Sequence, residues 1–178
     1  MNTSKKPIFV IQEHDASNLH YDFRIEAGGA LASWAVPRGL STDPEEKRLA
    51  IRTEDHDLDY ADFEGVIPPS EYGAGTVIVW DKGSYENKTE EDGKSVDICD
   101  ALDNGHAVIR LRGKKLSGGY VLQRIQRDGD DNENWLIIKE DDDDADARRN
   151  PVSTQPESVI SGKMIEQVAD ENEEKDAS

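Results

Sequence analysis

The chain has 178 residues, 35% apolar and 34% charged, with a formal net charge of −18. This length suits one domain and a tail, and the acidity excludes a protein that holds nucleic acid through an overall basic surface; any phosphate site must be a local cluster of cations. Cys99 is the single cysteine, which excludes an intrachain disulfide, and no apolar run is long enough to span a membrane. MNTSKKPIFVIQEHD carries no signal-peptide apolar region of adequate length, so a cytoplasmic protein with no membrane contact is expected.

The apolar pattern has period two nearly throughout, which predicts strands over Ile8–Gln12, Leu19–Glu26, Leu31–Val36, Leu49–Glu54, Thr76–Trp80, Gly83–Glu86, His106–Leu111, Gly119–Arg124 and Trp135–Glu140. Turn residues separate them: Ala27-Gly28-Gly29, Pro37-Arg38-Gly39, Pro68-Pro69, Asp81-Lys82-Gly83, Ser117-Gly118-Gly119 and Asp128-Gly129-Asp130. Ser95–Asp103 reads as one short helix or a loop. Many short strands with Gly-rich turns predict a mostly β fold, a small antiparallel β-barrel with short helices, over residues 1–140. Residues 141–178 hold twelve acidic and four basic residues, about −8 of the total charge. So charged a segment cannot bury enough apolar surface to offset its ordering entropy, which predicts a flexible, largely disordered acidic tail with a short helix near 156–168.

The stretch QEHDASNLHYDFRIE, Gln12 to Glu26, is the most informative for chemistry. Alternation in its second half points His20, Asp22, Arg24 and Glu26 to one face, at roughly 7 Å intervals, with Leu19, Tyr21, Phe23 and Ile25 on the other. His14 precedes them and can fold back beside them. Two imidazoles and a carboxylate make a three-ligand metal site with open positions, and Arg24 next in the row suits a phosphate oxygen. The bland alternative is a strand whose solvated face happens to be polar.

KRLAIRTEDHDLDY, Lys47 to Tyr60, adds a second polar face. Alternation groups Arg48, Ala50, Arg52, Glu54 and His56 against Leu49, Ile51 and Thr53. His56 titrates near neutrality and can stabilise charge or move a proton, and Tyr60 can donate to a phosphate oxygen. Arg38, after Pro37, offers another phosphate contact or belongs to a plain turn; Arg48 and Arg52 are equally at home in surface ion pairs. Trp34, Trp80 and Trp135 sit in apolar strands and read as core. His106 reads as structural, Cys99 lacks a basic partner, and Asp141–Asp144 lack the glycine and terminal Glu of a calcium loop.

The segments FVIQEHDASNLHYDFRIE, SWAVPRG, KRLAIRTEDHDLDYADFEG and IPPSEYGAGTVIVWDKGSYE closely resemble the phosphoesterase domain of bacterial DNA ligase D, a family that also has free-standing members. The likeness runs from Phe9 through Glu140, and SVISGKMIEQV in the tail resembles the segment C-terminal to the domain in the fused ligases. The resemblance implies a β-barrel acting in break repair by non-homologous end joining, with a Mn²⁺ cofactor or another divalent metal. It implies removal of a 3′-terminal ribonucleoside by a phosphodiesterase step and of the remaining 3′-phosphate by a phosphomonoesterase step. It places metal ligands at His14, His20 and Asp22, phosphate and transition-state contacts at Arg24, His56 and Tyr60, and further site positions at Gln12, Arg38, Arg48 and Glu54. Fused members carry an N-terminal arm that serves the diesterase step, and about eight residues precede the first strand here, so the monoesterase step is the firmer expectation. The partners expected are DNA or DNA/RNA 3′ ends and a separate ligase, polymerase or end-binding protein. Two other readings remain open on the residues: a non-catalytic, metal-stabilised module that binds DNA ends and recruits a ligase or polymerase, and a small-molecule Fe(II) enzyme on a cupin-like barrel.

Overall fold

A computed structural model describes residues 6–71, 73–125 and 133–177, with side chains through 173. The expected Asp128-Gly129-Asp130 turn lies outside the described residues. In β1 (Ile8–Asp15) and β2 (Leu19–Ala27), the antiparallel register pairs Phe9 with Ile25 and Ile11 with Phe23, so one face of the ribbon is apolar. β3 (Ala30–Val36) extends it by setting Trp34 beside Phe23, and β4 (Lys47–His56) follows. Later strands are β5 (Gly65–Ile67), β6 (Gly75–Asn87), the two-residue pair β7 (Glu90–Glu91) and β8 (Lys94–Ser95), β9 (His106–Gly113), β10 (Ser117–Ile125) and β11 (Asn134–Lys139). The helix α1 (Ile98–Asp103) begins where the Asp97 side chain accepts from the Cys99 amide.

Eight strands close in the order β1-β2-β3-β4-β11-β10-β9-β6, with β6 pairing back onto β1 and β5 added to the edge of β6. Closure removes the unpaired edges an open sheet would expose. The inner face is filled by Phe9, Phe23, Trp34, Trp80, Tyr120, Trp135 and their aliphatic neighbours, all buried. Trp34 meets Trp135 edge-on at 5.4 Å between ring centroids, so the tryptophans are core as the pattern indicated.

Two local irregularities alter the strand-by-strand expectation. The segment Thr76–Glu86 is not two strands with a turn at Asp81-Lys82-Gly83 but one continuous strand, with an extra residue where β1 shifts register between Ile11 and Gln12. Asp81 stabilises the irregularity by accepting from the amides of Lys82, Lys114, Lys115 and Leu116. A side chain at Gly83 would stand 2.0 Å from the Arg112 carbonyl oxygen, so glycine there reflects strand contact rather than a turn. The second irregularity is a bulge in β4: Ser33 pairs with Thr53, but Leu31 pairs with His56. The extra residue turns His56 to the outer face, while Arg48 and Arg52 stay on the face of Ala50.

The segment expected to be disordered on grounds of charge lies against the barrel over much of its length. Thr42 bonds through its hydroxyl to the carbonyls of Asp146 and Arg149, the Trp80 indole donates to the Gln155 carbonyl, and Val159 donates to Val79. Val152 packs on the main core, and Pro151, Ser158 and Ile165 are buried. Composition misses this because the contacts run mostly through backbone carbonyls and a few spaced apolar residues. The helices fall at α2 (Pro151–Thr154) and α3 (Ile165–Ala177), not across 156–168, where residues 158–163 form a turn around Ser158. Among the described residues no helix is long and apolar enough to cross a membrane.

Candidate metal centre and phosphate pocket

The polar side chains of β1 and β2 lie on the outer face of the barrel, yet they are shielded from solvent. Gln12, His14, Asp22 and Arg24 are at most 7% exposed. The cover is formed by residues 57–71 and 73–75, in which a 3-10 turn at Leu58–Asp62 leads to β5. Ala61 of that turn packs with Val10, Leu31 and Val79 in a small apolar cluster separate from the barrel core, which holds the cover down beside the polar row. What remains open is a cavity of about 240 Å³ lined by His14, His20, Asp22, Arg24, His56 and Tyr60, among others.

Strand register brings the first three together: His14 sits directly opposite His20, and Gln12 opposite Asp22. One donor atom from each of His14, His20 and Asp22 lies within 4.8 Å of the others. His14 Nδ1 is 3.2 Å from one Asp22 oxygen, and His20 Nε2 is 3.1 Å from the other. On their far sides, His14 Nε2 reaches the Ala74 carbonyl at 3.3 Å and His20 Nδ1 the Asn18 carbonyl at 3.0 Å. A carbonyl only accepts, so each ring places a proton on its far nitrogen. A neutral ring then turns a lone pair toward the carboxylate, leaving three acceptors that can share a cation, whereas a protonated ring donates to Asp22. Backbone carbonyls behind ligating imidazoles are a recurrent way of fixing the metal-binding tautomer. Ligand atoms about 2.1 Å from a metal stand roughly 3 to 4 Å apart, so the residues present fit a divalent ion.

Without a metal, the rings can donate to Asp22 instead. Burial alone would raise the Asp22 carboxyl, but hydrogen bonds from His14 and His20 and the Arg24 charge outweigh it and hold Asp22 well below the usual carboxylate range. Burial depresses the His20 imidazole, but Asp22 more than compensates and its pKa ends above the ordinary value. His56 goes the other way, lowered by burial and then by the adjacent Arg24.

Arg24 is the hub of the remaining pocket. Its Nε donates to Gln12 Oε1 at 2.7 Å, Nη1 to Ser33 Oγ at 2.8 Å, and Nη2 lies 3.3 Å from Asp22. Its Nη1 also lies 3.0 Å from His56 Nδ1. The same Nδ1 lies 3.0 Å from the Glu54 carbonyl oxygen, so the ring accepts from Arg24 in one tautomer and donates to Glu54 in the other. The Tyr60 ring lies 4.9 Å from that of His56 and 5.0 Å from the Arg24 guanidinium carbon.

Four other expected site residues are placed differently. Gln12 is fully buried beneath Arg24, with its amide donating to the carbonyls of Tyr60 and Phe63, so it holds the pocket together rather than facing it. Arg38 is exposed on the turn after β3 and is not among the cavity's lining residues. Arg48 shares the inner face with Ile137, its register partner, and pairs with Glu46 at 2.8 Å. The β4 bulge is what separates it from His56. The Glu54 side chain is exposed outside the lining. Sequence reasoning missed Ser33, the register partner of Arg24, whose hydroxyl would have been found by extending alternation into β3. It also missed Ala74, whose carbonyl backs His14, because a carbonyl carries no sequence signal.

Comparison with known proteins agrees with this architecture. A model of the DNA Ligase D 3'-phosphoesterase domain matches residues 12–124. The "Multifunctional non-homologous end joining protein LigD" of Pseudomonas aeruginosa is 46% identical over 159 residues, 88% of this chain and 18% of the relative. The "Multifunctional non-homologous end joining DNA repair protein LigD" of Mycobacterium tuberculosis is 49% identical over 120 residues, 67% of this chain and 15% of the relative. The chain thus spans less than a fifth of the length of these relatives. With the match extending over most of its strands, the chain belongs to the DNA ligase D 3'-phosphoesterase domain family.

Proposed function

We propose that this chain is a metal-dependent 3′-end-processing phosphoesterase that acts on DNA or DNA/RNA termini in non-homologous end joining. It would clear a 3′-phosphate and, at a 3′-terminal ribonucleoside, cleave the diester as well. The observation that carries this reading is the convergence of His14, His20 and Asp22 on one point beside Arg24, His56 and Tyr60. The relatives' names, which tie them to end joining and DNA repair, support the setting.

A Mn²⁺ or similar ion held by His14, His20 and Asp22 would supply Lewis acidity toward a phosphoryl oxygen and make bound water more acidic. The protein's own groups do the rest. Arg24, fixed by Gln12, Ser33 and Asp22, presents a permanent positive charge that needs no rearrangement when the phosphate enters. In the tautomer whose Nδ1 accepts from Arg24, His56 would donate through Nε2–H to a phosphoryl or leaving oxygen. Tyr60 closes the side of the cavity next to Arg24 and is placed to bond a phosphate oxygen. The covering segment limits water access and so strengthens each of these interactions.

The test is a primer–template carrying either a 3′-phosphate or a 3′-ribonucleotide, incubated with the full chain and Mn²⁺, Mg²⁺, Zn²⁺ or chelator. Conversion to a 3′-hydroxyl that depends on metal supports the proposal. Tight binding of the primer without turnover under any metal would leave an end-binding module in its place.

A further inference from the structure

Tyr60 reaches the pocket from a cover whose attachment is remote in sequence. Gln12 holds the carbonyls of Tyr60 and Phe63 from below, at 2.8 and 3.2 Å. The next residue, Glu64, points away from the pocket, and its Oε1 accepts from the Val79 amide at 2.9 Å and from the Ser158 hydroxyl. The carbonyl of the same Val79 accepts from the Val159 amide at 2.9 Å. Pairing of β5 with β6 ends at Gly65 with Val77, so at Val79 the edge of β6 is completed by the Glu64 carboxylate and by the tail instead of by a strand. Val159 also packs on the outer cluster that contains Ala61 and touches Leu58 and Tyr60.

The tail presents these groups on a closed turn. Ser158 Oγ accepts from the amides of Ile160 and Ser161, its carbonyl accepts from Gly162, and its amide donates to Lys163. Ser158 is 3% exposed, though the segment around it is polar. A hydroxyl that accepts two amides and donates to a carboxylate uses its whole bonding capacity, which fixes the distance between the turn and Glu64.

We infer that Ser158, Val159 and Glu64 are positioning residues: the 158–163 turn straps the 58–64 cover onto β6 and so fixes Tyr60 against Arg24 and His56. The phosphate-handling consequence rests on the function proposed above, while the mechanical one does not. Releasing the strap loosens the cover without touching the metal ligands. The cover keeps its bonds to Gln12, the Ala61 cluster, the Lys82–Asp62 pair and the β5–β6 pairing, but Tyr60 loses part of what fixes its distance to the guanidinium.

The test uses the full chain with Ser158→Ala, Glu64→Ala and Glu64→Gln. Amide hydrogen exchange is read at Tyr60 and Phe63, whose amides close the 3-10 turn, and at Phe23 and Ile109 in the barrel. Mn²⁺ affinity and steady-state turnover of a 3′-phosphate primer are read alongside. Ser158→Ala and Glu64→Ala are expected to raise exchange at Tyr60 and Phe63 selectively, leave Mn²⁺ affinity unchanged, and lower kcat/KM about tenfold through misplacement of the pocket wall. Glu64→Gln keeps an acceptor oxygen and is expected to stay near wild type; this pair decides the matter should Ser158→Ala, which also uncaps the turn, fail to fold. Unchanged exchange at Tyr60 and Phe63, an equal rise at Phe23 and Ile109, or Glu64→Gln behaving as Glu64→Ala would each overturn the strap. A wild-type chain that turns over no primer would count against the proposed function, while selective exchange would still uphold the strap.

Discussion

The two faces of β1 and β2 are buried to nearly the same degree for opposite purposes. Inward, Phe9, Phe23 and Ile25 are fully buried against aromatic neighbours. Outward, Gln12, Asp22 and Arg24 are almost as inaccessible, yet every one is polar and cross-bonded. A small barrel ordinarily wears its polar face in water. Here a covering segment shields it from water, so the charges interact strongly. The inner face therefore sets how stable the molecule is, and the outer face sets what it can bind. Changes on one side should be separable from changes on the other.

The largest separation is expected at the three converging donors. Asp22→Ala, His14→Ala or His20→Ala should each reduce turnover of a 3′-phosphate primer to background, with far-UV circular dichroism retaining the barrel. Turnover near wild type in any of them would remove that residue from the centre. Next, His56→Ala should lower kcat by roughly two to three orders of magnitude, as loss of a preorganised donor does, with Mn²⁺ affinity intact by calorimetry. Retained turnover would deny His56 an essential role. The inner face should respond in the other currency: Trp34→Ala is expected to cost about 3 to 5 kcal/mol of stability, lowering the thermal midpoint by roughly 10 °C, while the folded fraction still binds metal. A Trp34 variant that kept its melting temperature but lost Mn²⁺ would break the division between faces.

How much of this could be read in the chain beforehand depends on what kind of signal each feature leaves. Alternation located most barrel strands and the tryptophan core, because side-chain period and burial are written directly in residue order. It grouped His20, Asp22 and Arg24 correctly for the same reason. It failed at His56, where one extra residue in β4 reverses the face, and so put Arg48 on the same face as His56. It split β6 at Asp81-Lys82-Gly83 because those residues suit a turn, and only tertiary contacts with Arg112 and Leu116 show otherwise. The β7–β8 hairpin had a signal that was passed over: Asp92-Gly93 adopts positive φ at both positions, 53° and 79°. The tail was misjudged because backbone carbonyls accept hydrogen bonds whatever the side chain.

The smallest predicted effect compares two histidines of the same pocket. In metal-free protein, His20 should titrate above the ordinary imidazole value, because Asp22 outweighs its burial, and His56 below it, because of burial and Arg24. Their contributions to stability then have opposite pH dependence. The His20 contribution is present below the unfolded pKa, about 6.5, and fades as pH rises through its folded value. The His56 contribution is present above about 6.5 and is lost as pH falls through its folded value. Proton-detected titration of the two rings checks the order, and adding Mn²⁺ should abolish the His20 titration while His56 still titrates. The reverse order would mean that the pocket's charges are arranged otherwise.

The most direct measurement is calorimetric titration of Mn²⁺ into the metal-free full chain and its Asp22→Ala variant at fixed ionic strength, which screens weak binding by the acidic tail. The account predicts one saturable site per chain in the wild type and its loss in the variant. Equal binding by both proteins would contradict it.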